Sequence, residues 1–287
     1  MERGGKKGPE YWQETAASEV ARLFFGHPYM LEALGSLLPS TIDLSKGKVQ
    51  KVLDIGCGKG EWARRLAKAH PEIHVIGIDT SLNLIQEAVK LAVAESLHSI
   101  SFYQFGTAQA LNFSSESFDV VHVQSLASFI STAMWSRILE EMIRLLKVGG
   151  WLNVVDFELG STSSPAYNTL AVTGMAGVRS LGGSIAPSSP TQGVAARLYG
   201  FLVDAGLLDV TYTVHAVDFG VNSHPQTQAF LDDFVANMLS FKPFIIQLGL
   251  TDSETFDSLL NQAKEELYQP ESCGYAYLIS ALGRKDF

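Results

Sequence analysis

Three glycines, Gly56, Gly58 and Gly60, stand between two carboxylates, Asp54 and Glu61, and a third acid, Asp79, follows about twenty residues on. Glycine has no Cβ and tolerates positive φ, so a turn of this kind brings bare backbone close to a ligand. A dinucleotide-binding turn carries Gly-x-Gly-x-x-Gly, with the pyrophosphate on the helix N-terminus. Its third glycine would fall at position 61, which is Glu61, and a carboxylate there repels a pyrophosphate. Asp54 adds further negative charge. Two acids around a glycine turn suit a ligand that is cationic in its reacting region. Asp79 occupies the usual place of an acid that takes both hydroxyls of an adenosine ribose.

The elements that must hold these residues are legible on either side. Val49–Ile55 reads as a buried strand entering the turn, Glu61–Ala69 as the helix leaving it, and Ile73–Asp79 as a second strand. Further strands are predicted over Ser99–Phe105, Phe118–Gln124, Trp151–Phe157, Leu208–Phe219 and Gly274–Leu282. Met134, Trp135, Ile138, Leu139, Met142 and Ile143 recur at helical spacing, so Thr132–Leu146 reads as an amphipathic helix. Glu10–Leu38 reads as two helices broken near Gly26-His27-Pro28. Residues 160–190, rich in Gly, Ser, Thr and Pro, read as a loop with a short apolar middle. His224–Leu267 reads as helical and carries Phe230, Phe234, Phe241, Phe244 and Phe256.

The totals bound the rest. The chain has 287 residues, 46% hydrophobic and 18% charged, enough for a full core. A net charge of −9 without a basic stripe argues against nucleic acid as a partner. Two cysteines, Cys57 and Cys273, are too few for a disulfide framework or a zinc site, and no metal site is expected. No apolar run approaches the ~20 residues of a membrane helix, and Met1–Glu10 lacks a signal-type apolar segment. The expectation is a cytoplasmic protein without membrane insertion. A homo-oligomer is left open.

Five landmarks in order resemble the class I S-adenosylmethionine (SAM)-dependent methyltransferase superfamily. They are Asp54-x-Gly56-x-Gly58-x-Gly60, the strand ending at Asp79, Phe105–Phe113, Ser117–Val123 and Leu145–Gly150. The resemblance implies SAM as cofactor and S-adenosylhomocysteine as product. It places the cofactor on Asp54, Gly56, Gly58, Asp79, Thr80, Thr107, Ala108, Gln124 and Ser125. Two positions depart from the family pattern. Thr107 stands where Asp usually contacts the adenine, and Val148 replaces a proline of the turn before the fifth strand.

Methyl transfer from a sulfonium is an in-line displacement, so the protein chiefly aligns donor and acceptor, with a base where the acceptor carries a proton. Tyr11, Glu158 and His224 are the catalytic candidates. Tyr11 can reach a sulfonium by cation–π attraction, Glu158 shares one strand face with Asp156, and His224 opens the predicted insertion. His122, mid-strand, reads as a structural histidine rather than a base. No Gly-x-Ser-x-Gly elbow, P-loop or His-Glu-x-x-His is present.

The expected architecture is α/β: a Rossmann-like, doubly wound, seven-stranded sheet with its last strand antiparallel and a helical cap. Residues 1–45 form an N-terminal helical cap, 46–220 the SAM-binding core, 221–270 a helical insertion over the substrate, and 271–287 the final strand. The expected activity is methyl transfer to a small, apolar or natural-product-like acceptor. Alternatives are cyclisation or rearrangement without net transfer on the same fold, and a non-catalytic SAM-binding protein.

Overall fold

The computed structural model describes residues 28–45, 47–105, 111–125, 135–180, 193, 195–218 and 227–286. Helix α1 (Pro28–Ala33) precedes β1 (Lys51–Ile55), α2 (Glu61–Ala69), β2 (His74–Asp79), α3 (Leu82–Ala94), β3 (Ile100–Gln104) and β4 (Phe118–Gln124). Then come α4 (Trp135–Leu145), β5 (Leu146–Thr162), α5 (Pro165–Ser180), α6 (Leu198–Asp204), β6 (Leu208–Asp218), α7 (Thr227–Gln247), α8 (Ser253–Leu267) and β7 (Gly274–Arg284).

The strands form one sheet in the order β3-β2-β1-β4-β5-β7-β6. Strands β1 to β5 pair in parallel, whereas β7 lies antiparallel to both β5 and β6. This is the seven-stranded Rossmann-like sheet expected from the sequence. Its central strands are apolar on both faces because helices cover both. On one face Val52, Val75, Val120 and Val155 pack with Trp62 and Leu66 of α2 and with α7 and α8. On the other, Leu53, Val121, Val123 and Leu152 meet Leu139 and Met142 of α4 and Leu198 and Leu202 of α6.

Two segments differ from their sequence reading. The stretch taken as a loop holds the helix α5. Ser164 caps it by accepting from the Tyr167 N–H at 2.9 Å, Pro165 fits its first turn, and Glu266 of α8 accepts from the Ala166 N–H. Its small residues hid the helical period but allow close packing: a Cβ at Gly177 would lie 3.2 Å from the Phe241 ring of α7. The helical reading of 224–267 divides in two. Gly249, at φ +67°, ends the first helix, and Asp252 caps the second by accepting from the Thr255 N–H at 2.8 Å. Phe234, Phe241 and Phe256 are core residues between these helices.

Among the described residues no helix is long and apolar enough to cross a membrane. Leu31, Leu34, Leu38 and Ile42 bury against the α2 face, and the Trp62 indole donates to the Leu37 carbonyl at 2.9 Å.

Candidate active site

The turn after β1 folds back onto β2. The N–H groups of Gly56 and Cys57 both donate to the Ile78 carbonyl, at 2.8 and 3.0 Å, and the Gly60 N–H donates to the Cys57 carbonyl at 2.8 Å. All three glycines have positive φ: +75° at Gly56, +55° at Gly58 and +74° at Gly60. Their needs differ. A Cβ at Gly60 would come within 2.4 Å of the Phe102 ring, so this position lacks room as well as conformational freedom. At Gly56 and Gly58 a Cβ would meet nothing within 4 Å. These two are required by conformation, and the backbone there borders open space at the carboxyl edge of the sheet, where open α/β folds bind ligands.

Asp79, at the end of β2, braces this turn. Its Oδ2 accepts from the Gly58 N–H at 3.0 Å and its Oδ1 from the Ser81 N–H at 2.9 Å. A carboxylate at the end of this strand is the type of acceptor that a vicinal diol matches. Asp54 is only 3% exposed, and among the described residues nothing hydrogen-bonds its carboxyl. Burial, and then the charge of Asp79, push its pKa up to about 8. Asp54 is therefore mostly neutral near pH 7 and is converted to the anion by a nearby cation. Glu61 does not add to this field as its place in the sequence suggests. Its two oxygens accept from Arg64 at 2.6 Å and Arg65 at 2.7 Å, which neutralise it along α2.

The end of β4 completes the site. Gln124 is half-buried. Ser125 is 4% exposed with φ +59°, a strained value for a residue with a side chain. Its N–H donates to the Val155 carbonyl at 2.8 Å, while its hydroxyl has no hydrogen-bond partner among the described residues. Strain of this kind gathers at functional sites, and the sequence carried no signal for it. His122 is fully buried, stacked on Trp62 with ring centroids 3.8 Å apart, and burial lowers its pKa to about 3. It is neutral at physiological pH, in keeping with a structural reading.

The structure therefore brings Asp54, Gly56, Gly58 and Asp79 to one turn, with Gln124 at the end of the neighbouring strand β4 and Ser125 just past it. Thr80 follows Asp79, and its carbonyl accepts from the Gln104 amide at 3.0 Å. Glu158 lies on β5 opposite Tyr277, on the sheet face away from Asp54, and accepts from the Gly193 N–H at 3.4 Å. It shares that face with Asp156, as strand alternation requires, but β4 stands between it and the glycine turn. Tyr11, Thr107, Ala108 and His224 lie outside the described residues. An open cleft of about 360 Å³, lined by Lys68, Pro71 and His98, lies at the opposite sheet edge, away from the turn.

A model of the methyltransferase domain family matches residues 52–150. Over 140 residues, 49% of this chain and 46% of the relative, the protein is 28% identical to methyltransferase str2 of Strobilurus tenacellus. Over 113 residues, 38% of this chain and 46% of the relative, it is 34% identical to demethylmenaquinone methyltransferase of Listeria monocytogenes serotype 4a (strain HCC23). The matches thus span about half the length of these curated relatives. Haemonchus contortus phosphoethanolamine N-methyltransferase 2, solved in complex with S-adenosyl-L-methionine, shares the fold with a TM-score of 0.55. That likeness covers 95% of this chain and 58% of that one, at 18% identity. Residues 52–150, which match the methyltransferase domain model, hold the acid-rimmed glycine turn and strands β1 to β4 of this sheet.

Proposed function

We propose that the protein is a SAM-dependent methyltransferase acting on a small acceptor. One observation carries the reading above all: Asp54, a buried carboxyl without a hydrogen bond among the described residues, stands directly before a turn whose bare backbone borders open space. A nucleoside with a positive charge and no phosphate suits both features. Asp54 would take the cationic end of the cofactor, and the Asp79 carboxylate would accept from the ribose hydroxyls. Gly56 and Gly58 would let the ligand approach the backbone, and Gln124 and Ser125 would face its reacting end. Thr80, Thr107 and Ala108 are proposed to border the nucleoside.

The bound cofactor supplies an activated methyl group, so the chain's own residues need to align and shield it rather than create a nucleophile. Residues 1–45 and the insertion 221–270 are proposed as the cover over the site. Tyr11 and His224 remain the proposed groups for positioning the acceptor or taking its proton, and Glu158, on the far sheet face, would serve only an acceptor that reaches past the β4 edge. The acceptor is proposed to be apolar or natural-product-like. The relative named for demethylmenaquinone supports this reading in kind, although that match spans under two fifths of this chain.

Calorimetric titration with S-adenosylhomocysteine and, separately, with NAD tests the cofactor. Binding of the former and weak or absent binding of the latter is expected, and the reverse order sinks the proposal. Methyl-labelled SAM supplied with candidate acceptors then separates net transfer from a reaction that leaves the methyl group in place.

A further inference from the structure

A row of buried polar side chains crosses four neighbouring strands on the Asp54 face of the sheet. Ser280 of β7 donates from its hydroxyl to Asn153 Oδ1 of β5 at 3.4 Å. Asn153 Nδ2 lies 3.0 Å from His122 Nδ1 on β4. His122 pairs in register with Asp54 of β1, which places both side chains on one face of adjacent strands. His122, Asn153 and Asp54 are all at most 3% exposed, and Ser280 is 8% exposed.

The row has a direction. Burial keeps His122 neutral, so one ring nitrogen is a donor and the other an acceptor. Asn153 presents its amide N–H₂ to Nδ1, because its carbonyl accepts from Ser280. Nδ1 is then the acceptor, and the proton sits on Nε2. That Nε2 is buried and has no hydrogen-bond partner among the described residues. The neighbour beside it in register, Asp54, is also without a hydrogen bond among them. A buried donor without a partner and a carboxyl without a hydrogen bond among the described residues, on register-paired residues of adjacent strands, are each expensive alone and complementary together.

We propose that His122 is a positioning residue whose Nε2–H stabilises the ionised Asp54 carboxylate, as the last donor of a Ser280–Asn153–His122 chain. The inference rests on the reading of Asp54 as the acid that receives a cationic ligand. In such a chain each bond polarises the next, so the arriving charge is met by a pre-oriented dipole. Trp62, stacked on the imidazole, holds the ring in the plane the chain needs. The other charges around Asp54 do not supply this donor. The Asp79 carboxyl of β2 accepts from backbone N–H groups and offers no donor, and Arg64 and Arg65 of α2 are held by Glu61, with Glu95, just past α3, also on Arg64.

Two measurements on the cofactor-free protein test this. Nitrogen-15 NMR of the imidazole at neutral pH is expected to show the proton on Nε2; a proton on Nδ1, or on both nitrogens, overturns the proposal. Carbon-13 NMR of the Asp54 carboxyl, assigned by its loss in Asp54→Asn, gives its titration midpoint. His122→Phe keeps a stacked ring without the donor and is expected to raise that midpoint by about one pH unit, a tenfold change. His122→Gln, which keeps an N–H, is expected to restore most of it. An unchanged midpoint in His122→Phe overturns the proposal, and if that variant fails to fold the tautomer measurement decides alone. Neither readout uses SAM, so its failure leaves the cofactor reading standing, and a protein that binds no S-adenosylhomocysteine fails that reading without touching these two results.

Discussion

The raised pKa of Asp54 makes stability itself depend on pH, and Asp54→Asn isolates the effect. The folded carboxyl holds its proton up to about pH 8, whereas an unfolded aspartate releases it near 3.8. Between those values the folded protein binds more protons than the unfolded chain, so its stability falls as pH rises and levels off beyond the upper one. The slope approaches 1.4 kcal/mol per pH unit, and between about pH 5 and pH 7 the wild type should lose about 3 kcal/mol on this account. The asparagine variant has the same shape and no charge to bury, so it should keep that stability. Urea unfolding of both proteins across this range, compared at constant m-value, gives the difference directly and cancels every other titrating group. Parallel stability profiles would refute the reasoning, because they would mean Asp54 is as easily ionised folded as unfolded. The same variant should bind SAM far more weakly despite being more stable at neutral pH. Wild-type binding should release close to one proton near pH 7, seen as a buffer-dependent heat that Asp54→Asn lacks.

Three further outcomes follow from the turn and its supports. Gly60→Ala places a methyl group against Phe102 at positive φ and should destabilise the fold by about 2–4 kcal/mol in urea unfolding, whereas Gly58→Ala should cost only about 1 kcal/mol yet block S-adenosylhomocysteine in calorimetry. Asp79→Ala should weaken S-adenosylhomocysteine by about 2–4 kcal/mol through lost ribose contacts and also lower the melting temperature, since the carboxylate braces Gly58 and Ser81; unchanged affinity would misplace the ribose. Trp62→Phe should cost about 1 kcal/mol of stability by losing the bond to Leu37 while keeping an aromatic ring on His122; a neutral result would mean that bond is replaced by water at no loss.

Much of the fold was legible because its signals are local. Buried parallel strands read as short apolar runs, and the glycine turn announces itself by residue type, so β1, β2, β4 and β7 fell within a few residues of their predicted bounds. The helix α5 escaped because Gly174 and Gly177 serve packing against α7, and their abundance mimics a loop. Gly249 lies between two helical patterns that sequence reading merged. Within the site, the acids and glycines were visible, but their states were not. Neutralisation of Glu61 depends on the rotamers of Arg64 and Arg65, and the burial that perturbs Asp54 comes from packing around it. The row from Ser280 to His122 joins residues far apart in sequence, each unremarkable alone, and only strand register aligns them.

The position of β7 sets an order of assembly. Among the described residues β6 pairs with the sheet only through β7, which is made after the whole α7–α8 segment. During synthesis β6 therefore emerges with no strand to join, and its whole ladder waits until the β7 residues clear the ribosome. A nascent chain of this protein carries an unsatisfied β edge through that interval, so chaperone dependence and aggregation should peak at that stage of translation, after the glycine turn already has the strands it needs.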